Sequence, residues 1–288
     1  MTIKFQKWET GERCGTVMLS AILGLLLLCG CTPHGPRELL QGKKLLERGK
    51  YSQARQKLAE ATELLKTNAQ AWNYLGVACQ HGGEPVEAEK SYQRALLIDH
   101  DLSEAHFNLG CLYLEQNRPA AAKSELTAFS LRRGNSLEGL LMLGLAELRS
   151  HDAPAAERSF SEALQLSPEN PEALNGAGLA RLQRARATDA LASFTSAIRK
   201  HPNYGPAIFN AAIVQRAYLK DSRAALDHFK QYLALKPVPS DAAAVKEEVR
   251  SVEAELNPAL IPKPFVAATN VANPQTPPVV NRTTQAGP

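Results

Sequence analysis

The sequence predicts an all-α fold, a solenoid of six helix-turn-helix units closed by one capping helix. Three observations carry that prediction. A glycine recurs every 34 residues, at Gly42, Gly76, Gly110, Gly144 and Gly178, and Ala212 completes the series. An alanine column follows at the same period, Ala54, Ala88, Ala122, Ala156 and Ala190, and reaches Ala225 one position late. The composition is 44% hydrophobic but only 6% aromatic, which suits helices built from Ala and Leu better than a β-sandwich.

Taken in order, residues 1–16 are polar with a small positive balance. Val17 to Gly30 is a weakly polar to apolar run of 14 residues that ends at Cys31. A spanning helix needs about 20 apolar residues, so residues 1–30 have the shape of a signal peptide. Leu28-Cys29-Gly30-Cys31 resembles the bacterial lipobox, in which small residues precede a cysteine that becomes the lipidated first residue of the mature protein. Cys29 stands where Ala or Ser is more usual. The resemblance implies a lipoprotein acylated at Cys31, held stably on a bacterial membrane because more than one chain is attached. An uncleaved N-terminal anchor and a plain secretory signal cut near Gly30 are the alternatives. Residue 32 is Thr, not the Asp that marks inner-membrane retention in enterobacterial lipoproteins, so the resemblance points to the periplasmic face of the outer membrane.

Residues 31–37 form a short tether containing two prolines and a glycine. Of the five cysteines, Cys14 and Cys29 leave with the signal and Cys31 is acylated. Cys79 and Cys111 remain, at the eleventh position of one unit and the ninth of the next, and are expected as free, mostly buried thiols.

The repeats run 35–68, 69–102, 103–136, 137–170, 171–204 and 205–239. In the second, Trp72, Leu75, Gly76, Ala88, Tyr92, Ala95 and Ile98 sit where the tetratricopeptide repeat pattern places large and small residues, and the chain resembles that family over about residues 35–239. The resemblance implies a right-handed α-solenoid. Small residues let the two helices of a unit approach, and Leu58, Tyr92, Leu126, Phe160, Phe194 and Phe229 fill the space beside them. Pro168, Pro202 and Pro237 are expected to stop the second helices. The sixth unit is one residue longer, and the insertion is expected in the turn near Lys220-Asp221, where it is best tolerated. A single unit cannot bury both faces, but stacked units share a continuous core.

Residues 240–256 read as a capping helix, apolar at Ala243, Val245, Val249, Val252 and Leu256. Residues 257–288 hold seven prolines and are expected to be extended or disordered. The start of that tail, Pro258 to Val266, is apolar enough to dock on the fold. Asn281-Arg282-Thr283 fits a glycosylation sequon, which carries little meaning in a bacterial lipoprotein.

No enzymatic chemistry is indicated. The chain has 33 bases against 29 acids. Removing the first 30 residues takes away three bases and two acids and leaves +3, without the footprint of a nucleic-acid binder. HExxH, GxSxG, Walker A and GxGxxG arrangements are missing, and Gly176-Ala177-Gly178 is better explained by packing. Asp99, His100, Asp101, Glu104 and His106 cluster across an inter-repeat turn, where acids suit the N-terminus of the next helix. No metal, cofactor, small-molecule substrate or nucleic acid is expected, and the chain is read as not an enzyme.

The informative anomaly lies on the first helices. In the family, positions 2, 5, 9, 12 and 13 of each unit line the concave groove. Carried onto this chain, positions 5, 9 and 12 give Phe107, Cys111 and Leu114, then Leu141, Leu145 and Leu148, then Leu179 and Leu182 beside Asn175, and Phe209 and Ile213 beside Arg216. The second unit is more polar there, with Asn73, Val77 and Gln80. A helix apolar nearly all round is expected to be covered. A partner's peptide or helix, the segment 258–266, or tight superhelical curvature could cover it. Glu104, Glu138 and Glu172 form an acidic row on the rim, either a clamp for a basic peptide or residues favoured in a first turn by the helix dipole. The resulting expectation is a membrane-anchored scaffold for a protein partner in an envelope complex. A lipobox followed by six repeats is architecturally similar to type IV pilus biogenesis lipoproteins, which act as pilotins for a secretin. An adaptor for periplasmic cell-wall hydrolases or synthases is the alternative.

Overall fold

The computed structural model describes residues 34–257. Thirteen α-helices and no strand occur among them. In chain order these are α1 His34–Glu47, α2 Tyr51–Leu64, α3 Ala69–His81, α4 Pro85–Ile98, α5 Ser103–Glu115 and α6 Pro119–Arg133. Next come α7 Leu137–Arg149, α8 Ala153–Leu166, α9 Pro171–Gln183, α10 Ala187–Lys200, α11 Gly205–Ile213, α12 Ser222–Leu233 and α13 Ala242–Leu256. The segments 1–33 and 258–288, and with them the signal, Cys31 and the proline-rich tail, lie outside the described residues.

Each odd-numbered helix from α1 to α11 packs against the even-numbered helix that follows it, and each even-numbered helix against the next unit. From α1 to α11 successive odd-numbered helices also touch one another, whereas successive even-numbered helices do not. The first helices therefore form the inner wall of a curved stack, and the even-numbered ones the outer wall. The architecture is the α-solenoid that the sequence predicts.

The close approach within each unit rests on the glycine column. A Cβ on Gly42 would lie 2.5 Å from Leu58 Cγ, one on Gly76 2.5 Å from the Tyr92 ring, and one on Gly144 2.8 Å from Phe160. Gly178 meets Phe194 in the same way. Each large partner stands 16 residues after its glycine and is almost wholly buried, and the alanine column at the same contact is fully buried. In the sixth unit Ala212 and Phe229 share one buried cluster.

The turn inside each unit is equally regular. Its fifteenth residue has positive φ, at Gly49, Gly83, Asn117, His151 and Ala185, followed by Lys220 one position late. Three of these six are not Gly or Asn, a conformation that costs them strain.

Three expectations need correction. Helix α1 begins at His34, inside the stretch 31–37 read as a tether. Gly35 packs beneath Leu64 and Leu65, and Pro36 occupies the first turn, where its missing N–H leaves no helical bond unmade. The extra residue of unit six is not in the turn at Lys220-Asp221. It is absorbed earlier, in a π-helical turn at Val214–Tyr218, where Leu219 N–H donates to Val214 O over five residues. Elsewhere the equivalent bond spans four, as from Gly82 N–H to Ala78 O. A π turn holds one more residue without breaking the backbone ladder. Finally, α12 ends at Leu233, well before Pro237, while Pro168 and Pro202 each follow their helix by two residues. The N–H of Ala234 already closes α12 by bonding back to the carbonyls of Lys230, Gln231 and Tyr232.

Helix α13 closes the far end. Val245 and Val249 join Ala212, Ala225 and Phe229 in one cluster, and Arg216 reaches Glu248 at 3.0 Å. Ala243, expected on that face, is exposed.

Candidate functional site

The inner wall carries the candidate site. Along it, side chains 35 residues apart tie one first helix to the next. Asn108 Nδ2 donates to Asn73 Oδ1 at 3.0 Å, and Asn210 Nδ2 repeats the bond to Asn175 Oδ1 at 2.9 Å. Gln80 Nε2 donates to Glu115 at 2.8 Å, Arg149 to the Leu114 carbonyl at 2.8 Å, and Gln183 to the Leu148 carbonyl at 3.0 Å. These bonds fix the spacing of the first helices and therefore the curvature of the groove.

A concavity of about 540 Å³ opens between the first helices of units one to four. Its apolar wall includes Leu46, Tyr74, Val77, Phe107 and Phe129, and its polar wall includes Gln70, Asn73 and Asn108. Lys43, Glu47, Glu104, Arg133 and Glu138 supply charge of both signs at its edge. The Phe107 and Phe129 rings lie 5.1 Å apart, and Lys43 Nζ stands 6.0 Å from the Tyr74 ring. Such a hollow offers an apolar floor, the half-buried amides of Gln70 and Asn108 to bond a peptide backbone, and charged groups that fix its direction, while Asn73 is buried beneath them.

Of the residues expected to line the groove, Phe107 and the rim acids Glu104 and Glu138 border this concavity. Cys111, Leu141, Leu145, Leu179, Leu182, Phe209 and Ile213 are half-buried along the same wall. Phe209 is partly covered by Tyr232, with ring centroids 5.3 Å apart. Leu114 and Leu148 are a correction: each is only 5% exposed and belongs to the core. The next helix lies across them, and its Arg149 or Gln183 folds back onto their carbonyls. Curvature thus covers position 12 in these two units.

The rim acids all sit in first turns, of α5, α7 and α9. Glu104 accepts from Arg133 at 2.6 Å, while Glu138 and Glu172 are exposed. Burial, with help from the nearby Glu138 and Glu115 carboxylates, pushes the Cys111 thiol up to about 12. Burial pushes Cys79 up to about 11. Both are free cysteines, Cys79 buried and Cys111 half-buried.

Lys43, Leu46, Glu47, Gln70, Tyr74, Asn108 and Arg133 were not among the residues expected from sequence. Lys43, Leu46 and Glu47 hold positions 9, 12 and 13 of the first unit, and Gln70 position 2 of the second, so the groove positions themselves could have named them. Arg133 comes from a second helix, which those positions do not cover. No group of three or more His, Cys, Asp or Glu placed to hold a metal ion occurs among the described residues. No helix among them is long and apolar enough to cross a membrane.

The tetratricopeptide repeat family pattern matches residues 39–105 and 141–205, and a second pattern of the same description matches 103–128. Together these cover more than half of the chain. Human cilia- and flagella-associated protein 70 is 30% identical over 125 residues, which are 42% of this chain and 11% of that protein. Cellulose synthase operon protein C of Xanthomonas axonopodis pv. citri is 34% identical over 127 residues, 44% of this chain and 8% of that protein. The chain thus spans only about a tenth of the length of these relatives. Among solved structures, PilW, described as a widely conserved type IV pilus biogenesis factor, is 19% identical with a TM-score of 0.64. The match covers 75% of this chain and all of PilW. Pseudomonas aeruginosa PilF is 21% identical with a TM-score of 0.60 over 75% of this chain and 97% of PilF. YrrB, described as having an unusual peptide-binding site, is 20% identical with a TM-score of 0.54 over 66% of this chain and 97% of YrrB. At these identities the solved structures establish the shared fold.

Proposed function

This chain belongs to the tetratricopeptide repeat family, and from that premise we propose that it is a non-catalytic, membrane-anchored scaffold. Its concave face holds a peptide or helix of a partner protein during assembly of an envelope complex such as a pilus or its secretin. The observation that carries this reading is the concavity between the first helices of units one to four, which joins an apolar floor at Val77 and Phe107 to the half-buried amides of Gln70 and Asn108. Solenoids present surfaces, and a mixed surface of this kind suits a segment that offers both side chains and backbone polar groups. The lipobox-like Leu28 to Cys31 supports anchoring through Cys31, and the fold shared with a pilus biogenesis factor supports the process.

The test is a crosslinking pull-down from intact cells with the parent protein, Val77→Glu and Phe107→Glu. A charge buried against an apolar ligand should empty the groove and remove the partner from the captured set. If both variants retained every captured protein, the groove would not be the binding site. Cys31→Ala tests the anchor separately, by moving the protein out of the membrane fraction.

A further inference from the structure

We infer that the outer face of α1 docks on anionic phospholipid headgroups, so that the solenoid stands on the membrane with its first unit down and its capping helix away from the surface. The inference rests on the reading of Cys31 as the lipid anchor.

Chain length makes the first argument. Helix α1 begins at His34, so only Thr32 and Pro33 separate it from Cys31. Three peptide steps span at most about 11 Å of extended chain. An acyl group at Cys31 therefore brings the first unit to the headgroup layer.

Charge makes the second. The stretch from His34 to Lys50 carries Arg37, Lys43, Lys44, Arg48 and Lys50 against Glu38 and Glu47. Glu38 is buried and already paired with Lys57 at 2.9 Å. None of the five bases forms an ion pair with an acid among the described residues. Bases farther along the chain do so across unit boundaries, as Arg55 of α2 with Glu84, Arg118 with Glu89 and Lys123 with Asp152. At the other end α13 is acidic, with Glu247, Glu248, Glu253 and Glu255 against Lys246 and Arg250. Those four glutamates are themselves paired with Arg216, Lys230 and Arg250, so an anionic surface is drawn to the unpaired bases of the first unit rather than to the cap.

Placement makes the third. Arg37, Leu40 and Lys44 are exposed, their spacing of three and four puts them on one stripe of α1, and the exposed Arg48 continues that spacing in the turn just after the helix. Among the described helices α1 touches only α2 and α3, so the side of it that faces away from the stack meets none of the others. Leu40 is 52% exposed in the middle of the basic stripe, where an apolar side chain can enter the interface between headgroups and acyl chains. Lys43 points instead into the groove beside Tyr74 and is left out of the docking face.

The full lipidated protein, labelled with a small dye through Leu40→Cys, tests this in vesicles whose acyl chains carry bromine as quencher. Cys79 and Cys111, held at about 11 and about 12, leave the new thiol as the reactive one. The dye is expected to dim in phosphatidylethanolamine vesicles containing phosphatidylglycerol, while a dye placed through Ala244→Cys on α13 stays bright. Each base removed should lower the docked-to-free ratio about fivefold, and the triple variant Arg37→Glu, Lys44→Glu, Arg48→Glu or half-molar salt should abolish the dimming. These three side chains are exposed, and circular dichroism of the triple variant checks that its fold is intact. Protein that sediments with the vesicles while the dye at position 40 stays bright overturns the docking and leaves the anchor standing. Protein that fails to sediment overturns the anchor and the docking with it. A dye that responds to a polyglutamate peptide in detergent and not to vesicles assigns the stripe to an acidic protein and overturns the proposal.

Discussion

Gly110 lies so close to Leu126 that a Cβ on the glycine would stand 2.7 Å from Leu126 Cγ. Gly110→Val should therefore overpack the contact between α5 and α6 and lower stability by about 1–3 kcal/mol. Urea unfolding measures it. Pairing the change with Leu126→Ala should return part of the loss, because the two side chains compete for one space. An unchanged midpoint for the single variant would mean the helices do not pack through this glycine.

Asn170 caps α9, its Oδ1 accepting from Ala173 N–H at 2.7 Å, and Asn68 caps α3 from the same unit position at 2.9 Å. Replacing Asn170 by Ala should cost about 0.5–2 kcal/mol, and replacing it by Gly only a few tenths. Equal losses for the two substitutions, read by thermal unfolding, would count against the cap.

Glu147 is buried, and its carboxylate accepts from Ser159 Oγ at 2.6 Å. Burial raises its pKa, and the Ser159 bond only partly opposes this. A carboxyl group raised in the fold binds more protons there than in the unfolded chain. Its contribution is therefore whole below the ordinary carboxylate range and is lost as pH rises toward the folded pKa. Glu147→Gln should hold or raise the melting temperature at neutral pH, and that advantage should shrink on acidification. A variant that is less stable at pH 7 and recovers in acid would reverse the sign and contradict the account.

Glu157 runs the other way. Burial pulls against it, but Arg181, Arg184 and Arg186 hold its pKa below the usual carboxylate range. The arginines' stabilising effect is present above the ordinary carboxylate pKa and is lost as pH falls through the depressed one. Glu157→Gln should flatten the acid limb of the stability profile, a change that calorimetry across pH 2 to 6 would reveal by its presence or absence, the window being set by a carboxylate reference of about 4.3.

Much of this fold was legible in the residues because its packing is periodic. Gly76 and Tyr92, Gly144 and Phe160, and their equivalents make one contact repeatedly, so a column of small residues and a column of large ones announce it. The location of the extra residue in unit six was less legible. Sequence spacing says only that it falls between Ala212 and Ala225, and a turn and a π bulge at Val214–Tyr218 give the same offset. The groove was read from the face of a single helix. Whether Leu114 and Leu148 stay open depends instead on how near the next helix comes, which the bonds from Arg149 and Gln183 decide. The same long spacing hid the Asn73–Asn108 pair, since 35 residues is one period plus one and matches no position within a unit.

The claim that most needs a direct test is that a partner lies along the first helices. A photo-crosslinking residue placed at Phe107, on the inner wall, should join the membrane-anchored protein to a discrete partner band in living cells, and Gln70→Glu together with Val77→Glu, both half-buried in the concavity, should erase that band. The same residue placed at Leu97, which is 74% exposed on the outer wall, should give no such band. Identical adducts from both positions, or an adduct at 107 that survives the two substitutions, would contradict the account.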